Sequence, residues 1–241
     1  MIYKFIFLKN LKKYLFDFYA YHLFRYKMNP YINYKINEQL TFGNVENIFF
    51  KKKLLNSKFF IEFGSGHSTF FAKKLNKNFL SVESDKNFYN YMKYFIKKRL
   101  LFVDFGVVKW FSYPFNKINN KKNAYKYANM PLQLNWRRVG EVAGGGSIKR
   151  SPLLALIDGR YRVLCGLFLY KYFHKSKFKF TFIFDDYFNL NNYKVNRPHY
   201  KTLEKFFFIK KVGRFAVTNK TKNCGQDILS ANIIKYSIDP R

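Results

Sequence analysis

The sequence predicts an α/β fold: a mostly parallel, seven-stranded sheet that ends in an antiparallel C-terminal hairpin and carries helices on both faces. Three observations predict it. Seven short apolar runs rich in Phe, Ile and Val are bounded by turn residues, helical stretches separate most of them, and only Val212-Gly213 separates the last two. Strands alternating with helices build parallel sheets covered on both sides. A two-residue gap containing glycine is a hairpin signal.

The chain begins with "MIYKFIFLKNLKKYLFDFYAYHLFRYKMNP". Leu8, Leu11, Leu15, Tyr19 and His22 follow helical spacing there, while Lys9, Lys12 and Lys13 cluster on another side. Residues 1–45 therefore read as a basic, aromatic helical arm whose helix ends at Met28-Asn29-Pro30, and residues 46–241 as the α/β domain. Such an arm either packs on its own domain or lies on an acidic membrane surface through residues 1–27. Its uncharged runs fall far short of the roughly 20 residues of a membrane span, and no small-residue cleavage site marks a signal peptide.

After a polar connector, strands are expected at Phe59–Phe63, Phe79–Glu83, Leu101–Val108, Leu153–Ile157, Lys179–Phe184, Phe206–Lys211 and Arg214–Thr218. Helices are expected at Thr69–Leu75, Phe88–Leu100 and Arg162–Phe173. The segment "NWRRVGEVAGGGSIKRSP", Asn135 to Pro152, holds the only glycine triplet and lacks Phe and Tyr. It reads as a flexible loop between the third and fourth strands, serving as a substrate lid, an inserted sequence or a linker.

Composition narrows the function classes. With 48% hydrophobic and 22% aromatic residues the chain folds rather than staying disordered. Cys165 and Cys224 stand too far apart for a disulfide framework or a zinc site and fit a reducing compartment such as the cytoplasm. The four histidines have no metal-ligand spacing, so no metal is expected. A net charge of +31 reads in two ways. It suits a phosphate-rich or acidic-membrane partner, or it reflects an AT-rich coding sequence, which raises Lys, Asn, Phe and Tyr together.

The chemistry concentrates at strand ends. In "KFFIEFGSGHSTFFAKKL" a strand, a glycine turn and a helix follow one another, which places backbone N–H groups at a helix N-terminus, ready for a polar ligand. Glu83 closes the second strand 21 residues after Glu62. A carboxylate so spaced can accept hydrogen bonds from two ribose hydroxyls. The third glycine of a dinucleotide fingerprint is missing, and Glu62 would repel a pyrophosphate. An acid there suits a cationic ligand, such as the ammonium and sulfonium of S-adenosylmethionine.

"IEFGSGHST", "LSVESDKNFY", "IDGRYRVLCGLFL" and "FIFDDYFNLNNY" together resemble the class I S-adenosylmethionine-dependent methyltransferases, which have a Rossmann-like fold. They are similar in particular to an uncharacterised subgroup with E-x-G-S-G-x-S-T and D-G-R-x-R-V-x-C segments. The resemblance covers roughly residues 58–220. It implies cofactor binding at Glu62, Gly64, Ser65, Gly66, Ser68 and Thr69, with Glu83 on the ribose and Asp104 near the adenine by position alone.

In methyl transfer the protein mainly aligns donor and acceptor, and a hydroxyl or amine acceptor also needs a base. That role falls to Asp158 or to Asp185/Asp186, with Arg160 orienting an anionic or sugar-like acceptor. The Asn/Asp-Pro-Pro-aromatic segment of amino-methylating nucleic-acid enzymes is missing, which favours a small-molecule or glycan acceptor. Bland readings stand beside these. Asp158 to Arg160 could be a turn with an internal salt bridge, Arg162 could cap or pair with Asp158, and Cys165 reads as core. Tyr187 could line the pocket, and His67 reads as a solvated loop residue. The rival functions are a nucleic-acid-binding module or a peripheral membrane protein with a vestigial pocket.

Overall fold

The computed structural model describes residues 39–106, 114, 121–132, 152–176, 178–188 and 198–240. All belong to a unit spanning Ile36–Arg241. The expectations for the arm at 1–27, for the loop at 135–152 apart from Pro152, and for strand residues 107–108 fall outside the described residues.

The sheet has seven strands: β1 Phe59–Phe63, β2 Asn78–Glu83, β3 Leu100–Phe102, β4 Leu153–Ile157, β5 Phe180–Phe184, β6 Lys210–Val212 and β7 Phe215–Thr218. Their order is β3-β2-β1-β4-β5-β7-β6. The first five are parallel; β7 runs antiparallel to both β5 and β6. The helices are α1 Asn44–Asn56, α2 His67–Lys74, α3 Lys86–Ile96, α4 Lys121–Asn129, α5 Arg162–Phe173 and α6 Gln226–Tyr236. Among the described residues no helix is long and apolar enough to cross a membrane.

Side-chain alternation sorts the strands onto two cores. Ile61, Phe63, Leu153, Ala155, Ile157, Phe182 and Phe184 join the core that also holds residues of α4, α5 and α6. Phe60, Leu154, Leu156 and Ile183 face the core shared with α1, α2 and α3. Helix α5 is buried almost all round, including Val163, Cys165, Phe168 and Leu169, which explains its continuously apolar sequence.

The structure differs from expectation in three places, two of them with a visible physical cause. The polar connector contains α1, whose buried positions Glu46, Phe50 and Leu54 recur every four residues while Ile48 and Leu55 stay exposed and blur the stripe. The expected strand at Phe206–Lys211 is only three residues long, because Phe206 and Phe207 turn inward to pack on the Tyr170 ring of α5. The third strand is likewise shortened to Leu100–Phe102.

Candidate active site at the carboxyl edge of the sheet

In parallel α/β sheets ligands bind at the carboxyl edge, where successive crossovers leave in opposite directions. Here that switch point lies between β1, whose crossover leads to β2, and β4, on its other side. The two strands end in glycine turns that touch. Gly64 has φ +92°, and a Cβ on it would lie 2.7 Å from the Gly159 Cα. A Cβ on Gly159 would lie 2.9 Å from the Gly64 nitrogen and 2.0 Å from the Tyr127 hydroxyl. Both glycines are thus fixed by close backbone approach. Gly66 is different: its φ is 179°, and a Cβ there would meet nothing within 4 Å.

Glu83, the last residue of β2, does reach the glycine turn. One carboxylate oxygen accepts the Ser65 N–H at 3.1 Å and the Ser65 hydroxyl at 2.7 Å. The other accepts the N–H groups of Ser84 at 2.6 Å and Asp85 at 2.8 Å. Burial pushes the Glu83 carboxyl above its ordinary range, and these hydrogen bonds oppose the shift.

Glu62 behaves differently from the expectation of an acid open to a cation. Its place in β1 points it at the α2 face, and its register partner on β2 is Ser81. Its carboxylate accepts hydrogen bonds from the hydroxyls of Ser68, Thr69 and, at 2.9 Å, Ser81. The Thr69 hydroxyl also accepts the Gly66 N–H at 2.8 Å, which closes the first turn of α2. Glu62, Ser68 and Thr69 are all buried, so they form an internal clamp between β1, β2 and α2. Burial raises the Glu62 carboxyl to about 7, against the pull of the three hydroxyls.

A second cluster closes β4 and β5. Asp158, Asp185 and Asp186 each present an oxygen within 4.8 Å of the others. The guanidinium groups of Arg162 and Arg214 lie against them as counter-ions. Arg162 donates to Asp158 Oδ1 at 3.0 Å and also to the carbonyls of Asp158, Gly159 and Asp185, tying the two strand ends together. Arg214 grips the buried Asp185 through two bonds of 2.7 and 2.8 Å, the bidentate geometry at which Arg excels. Asp186 lies 3.6 Å from each arginine and has φ +52°. Desolvation raises the Asp158 carboxyl well above its ordinary range; the neighbouring Asp185 adds to this and Arg162 opposes it.

The remaining expected residues lie around the strand ends. Tyr187 does not line the cleft: it is buried, with its hydroxyl 2.8 Å from Glu204 Oε1 and 3.1 Å from the Tyr200 carbonyl. Asp104 is exposed just past β3 and accepts the Gly106 N–H at 2.7 Å, capping its own turn. Arg160 is half-buried beside Gly159. Cys165 is buried, and burial pushes its thiol up, as suits a core residue.

The sequence reading missed Arg214 and Tyr127. Tyr127 leans from α4 onto Phe63 and Phe105, and its buried hydroxyl, poised over Gly159, has no hydrogen-bond partner. No local motif marks either residue. The only available signal is that a tyrosine among apolar helix positions needs somewhere to place its hydroxyl.

No protein-family model matches the sequence, and no curated protein matches it. Among solved structures, the chain is similar to a methyltransferase-like protein from Silicibacter pomeroyi DSS-3. The TM-score is 0.64 and the identity 22%, over 86% of this chain and 100% of that one. The fold is methyltransferase-like.

Proposed function

We propose that the protein is an S-adenosylmethionine-dependent methyltransferase acting on a small-molecule or glycan acceptor. The observation that carries this reading is the meeting of Glu83 with the β1–α2 glycine turn at the sheet's switch point. Two further features support the fit. The touching turns at Gly64 and Gly159 leave no room for a Cβ, and the Tyr127 hydroxyl lacks a partner over them. An unpaired buried hydroxyl costs about 1–3 kcal/mol, which a polar group of a ligand would offset.

In this reading Glu83 and the Ser65–Gly66 backbone hold the cofactor, with the ribose taking the place of the Ser65 hydroxyl on Glu83. Glu62, Ser68 and Thr69 keep the turn in shape from below rather than touching the ligand. The cofactor, when bound, supplies an electrophilic methyl group on a sulfonium. Asp158 is the base: its side chain is 35% exposed at the end of β4, where the hydroxyl or amine of an acceptor can reach its carboxylate. Asp185, held by Arg214, is a positioning residue, and Arg160 orients the acceptor.

Titration calorimetry with S-adenosylhomocysteine tests the proposal. Saturable heat that disappears in Glu83→Ala and is not competed by ATP or NAD is the expected result. Absent binding in a folded wild-type protein refutes it.

A further inference from the structure

The opposite edge of the sheet has its own chemistry. In a parallel sheet every crossover helix runs back against the strands, so helix C-termini and strand N-termini gather on one side. Four of the segments that build this amino edge are 51–58, 73–78, 96–100 and the described residues of 171–180. They hold four, three, three and three Lys or Arg residues respectively and no Asp or Glu, and the chain leaving β7 adds Lys220, Lys222 and one exposed acid, Asp227. The acids crowd the other edge, at Glu83, Asp85, Asp104, Asp158, Asp185 and Asp186. A lysine-rich composition fixes how many lysines the chain has; it does not leave these four segments without acids.

Helix dipoles do not account for this surplus. Four helix C-termini present about half a negative charge each, far less than the cations gathered there. Part of that neutralisation is visible: Lys77 donates to the carbonyls of Leu55 and Ser57 at 2.7 and 2.9 Å, and Arg99 donates to the Lys77 carbonyl at 2.7 Å. Others point to solvent. Across the sheet, Arg99, Lys77, Lys58, Lys179, Lys220 and Lys210 flank β3, β2, β1, β5, β7 and β6 in spatial order, and all but Lys77 are exposed.

Strands about 4.8 Å apart make this row about 29 Å long. Two exposed aromatic rings lie along it, Tyr172 at the end of α5 and Phe208 ahead of β6. A cavity of about 140 Å³ at the same edge is lined by Lys52, Lys53, Asn56, Ser57, Pro152 and Thr181, among others.

We infer that this amino edge is a docking surface for the phosphodiester backbone of a single-stranded nucleic acid. Neighbouring strands rotate by about 20°, so the row of cations winds as a ridge. A flat bilayer meets only part of such a ridge, whereas a flexible polyanion follows it. Lysines beside exposed aromatic rings are the pairing that single strands use, charge for the backbone and rings for the bases. The surface lies across the sheet from the candidate active site, so this inference does not depend on methyl transfer.

The test is fluorescence anisotropy of a labelled single-stranded RNA 20-mer and its DNA counterpart, titrated with full-length protein over a salt series. One variant combines Lys58→Gln, Lys179→Gln and Lys210→Gln. A control of equal charge loss combines Lys86→Gln, Lys121→Gln and Lys122→Gln, exposed positions at the start of α3 and α4 near the other edge. Circular dichroism confirms that both fold. The amino-edge triple is expected to bind about tenfold more weakly and to flatten the log–log salt slope by about two, since each single-strand phosphate contact contributes about 0.7. The control is expected to change affinity by less than about threefold. Equal losses in both triples, no oligonucleotide binding, or binding only to phosphatidylserine vesicles each overturn the inference.

Discussion

Replacing Glu62 by Gln should abolish a stability slope near neutral pH. In the folded protein this buried carboxyl is raised to about 7 from 4.5. The folded state therefore keeps a proton that the unfolded chain has already released. The sign follows from linkage: stability is full below about pH 4.5, falls as pH rises toward 7, and is flat above that. At about 1.4 kcal/mol per pKa unit the whole effect is about 3 kcal/mol. Urea unfolding at half-unit steps from pH 4.5 to 8 measures it, with free energies taken by linear extrapolation. Taking the difference between wild type and Glu62→Gln at each pH removes the common contributions of Glu83 and Asp158. That difference should move by about 3 kcal/mol in favour of Glu62→Gln as pH rises. A difference constant within about 0.5 kcal/mol across the range would show that the clamp holds an ordinary carboxylate.

Two further outcomes test the contacts at the strand ends. Tyr127→Phe should stabilise the fold by about 1 kcal/mol by removing a buried hydroxyl without a partner. Gly159→Ala should cost about 2–3 kcal/mol by overpacking and markedly less in the Tyr127→Phe background, a coupling read from a double-mutant cycle of melting curves. Arg214→Ala should lower the urea midpoint by the equivalent of about 2 kcal/mol. Losing one partner of a buried pair costs more than this, but Arg214 is 29% exposed. Arg214→Lys should recover little, because an ammonium cannot make both bonds to Asp185.

The strands that were easiest to read are those buried on both faces. The runs at Phe59–Phe63 and Leu153–Ile157 lie in mid-sheet, where both neighbours are parallel strands and every side chain must be apolar or paired, so sequence and structure agree on their limits. Helix α5 is legible for the same reason. Helices α4 and α6 escaped notice because each buries only one side, three positions apiece by residue, too few for a clear stripe. The approach of Glu83 to the glycine turn was legible because its spacing from that turn is a local property of a strand–turn–helix–strand unit. The hydrogen bonds of Glu62 were not legible, because they depend on which face of β1 it occupies and on Ser81 standing beside it on the next strand.

Local patterning by itself determined the class of fold, the parallel sheet with its terminal hairpin, and the glycine turn followed by an acid. These follow from residue preferences and spacings within some twenty positions. Only tertiary structure decided which acids are engaged internally and which face the cleft. Asp185 meets Arg214 from 29 positions away, and Tyr127 settles over Gly159 from 32. Hydrogen bonding and burial act through space, and a sequence records distance along the chain.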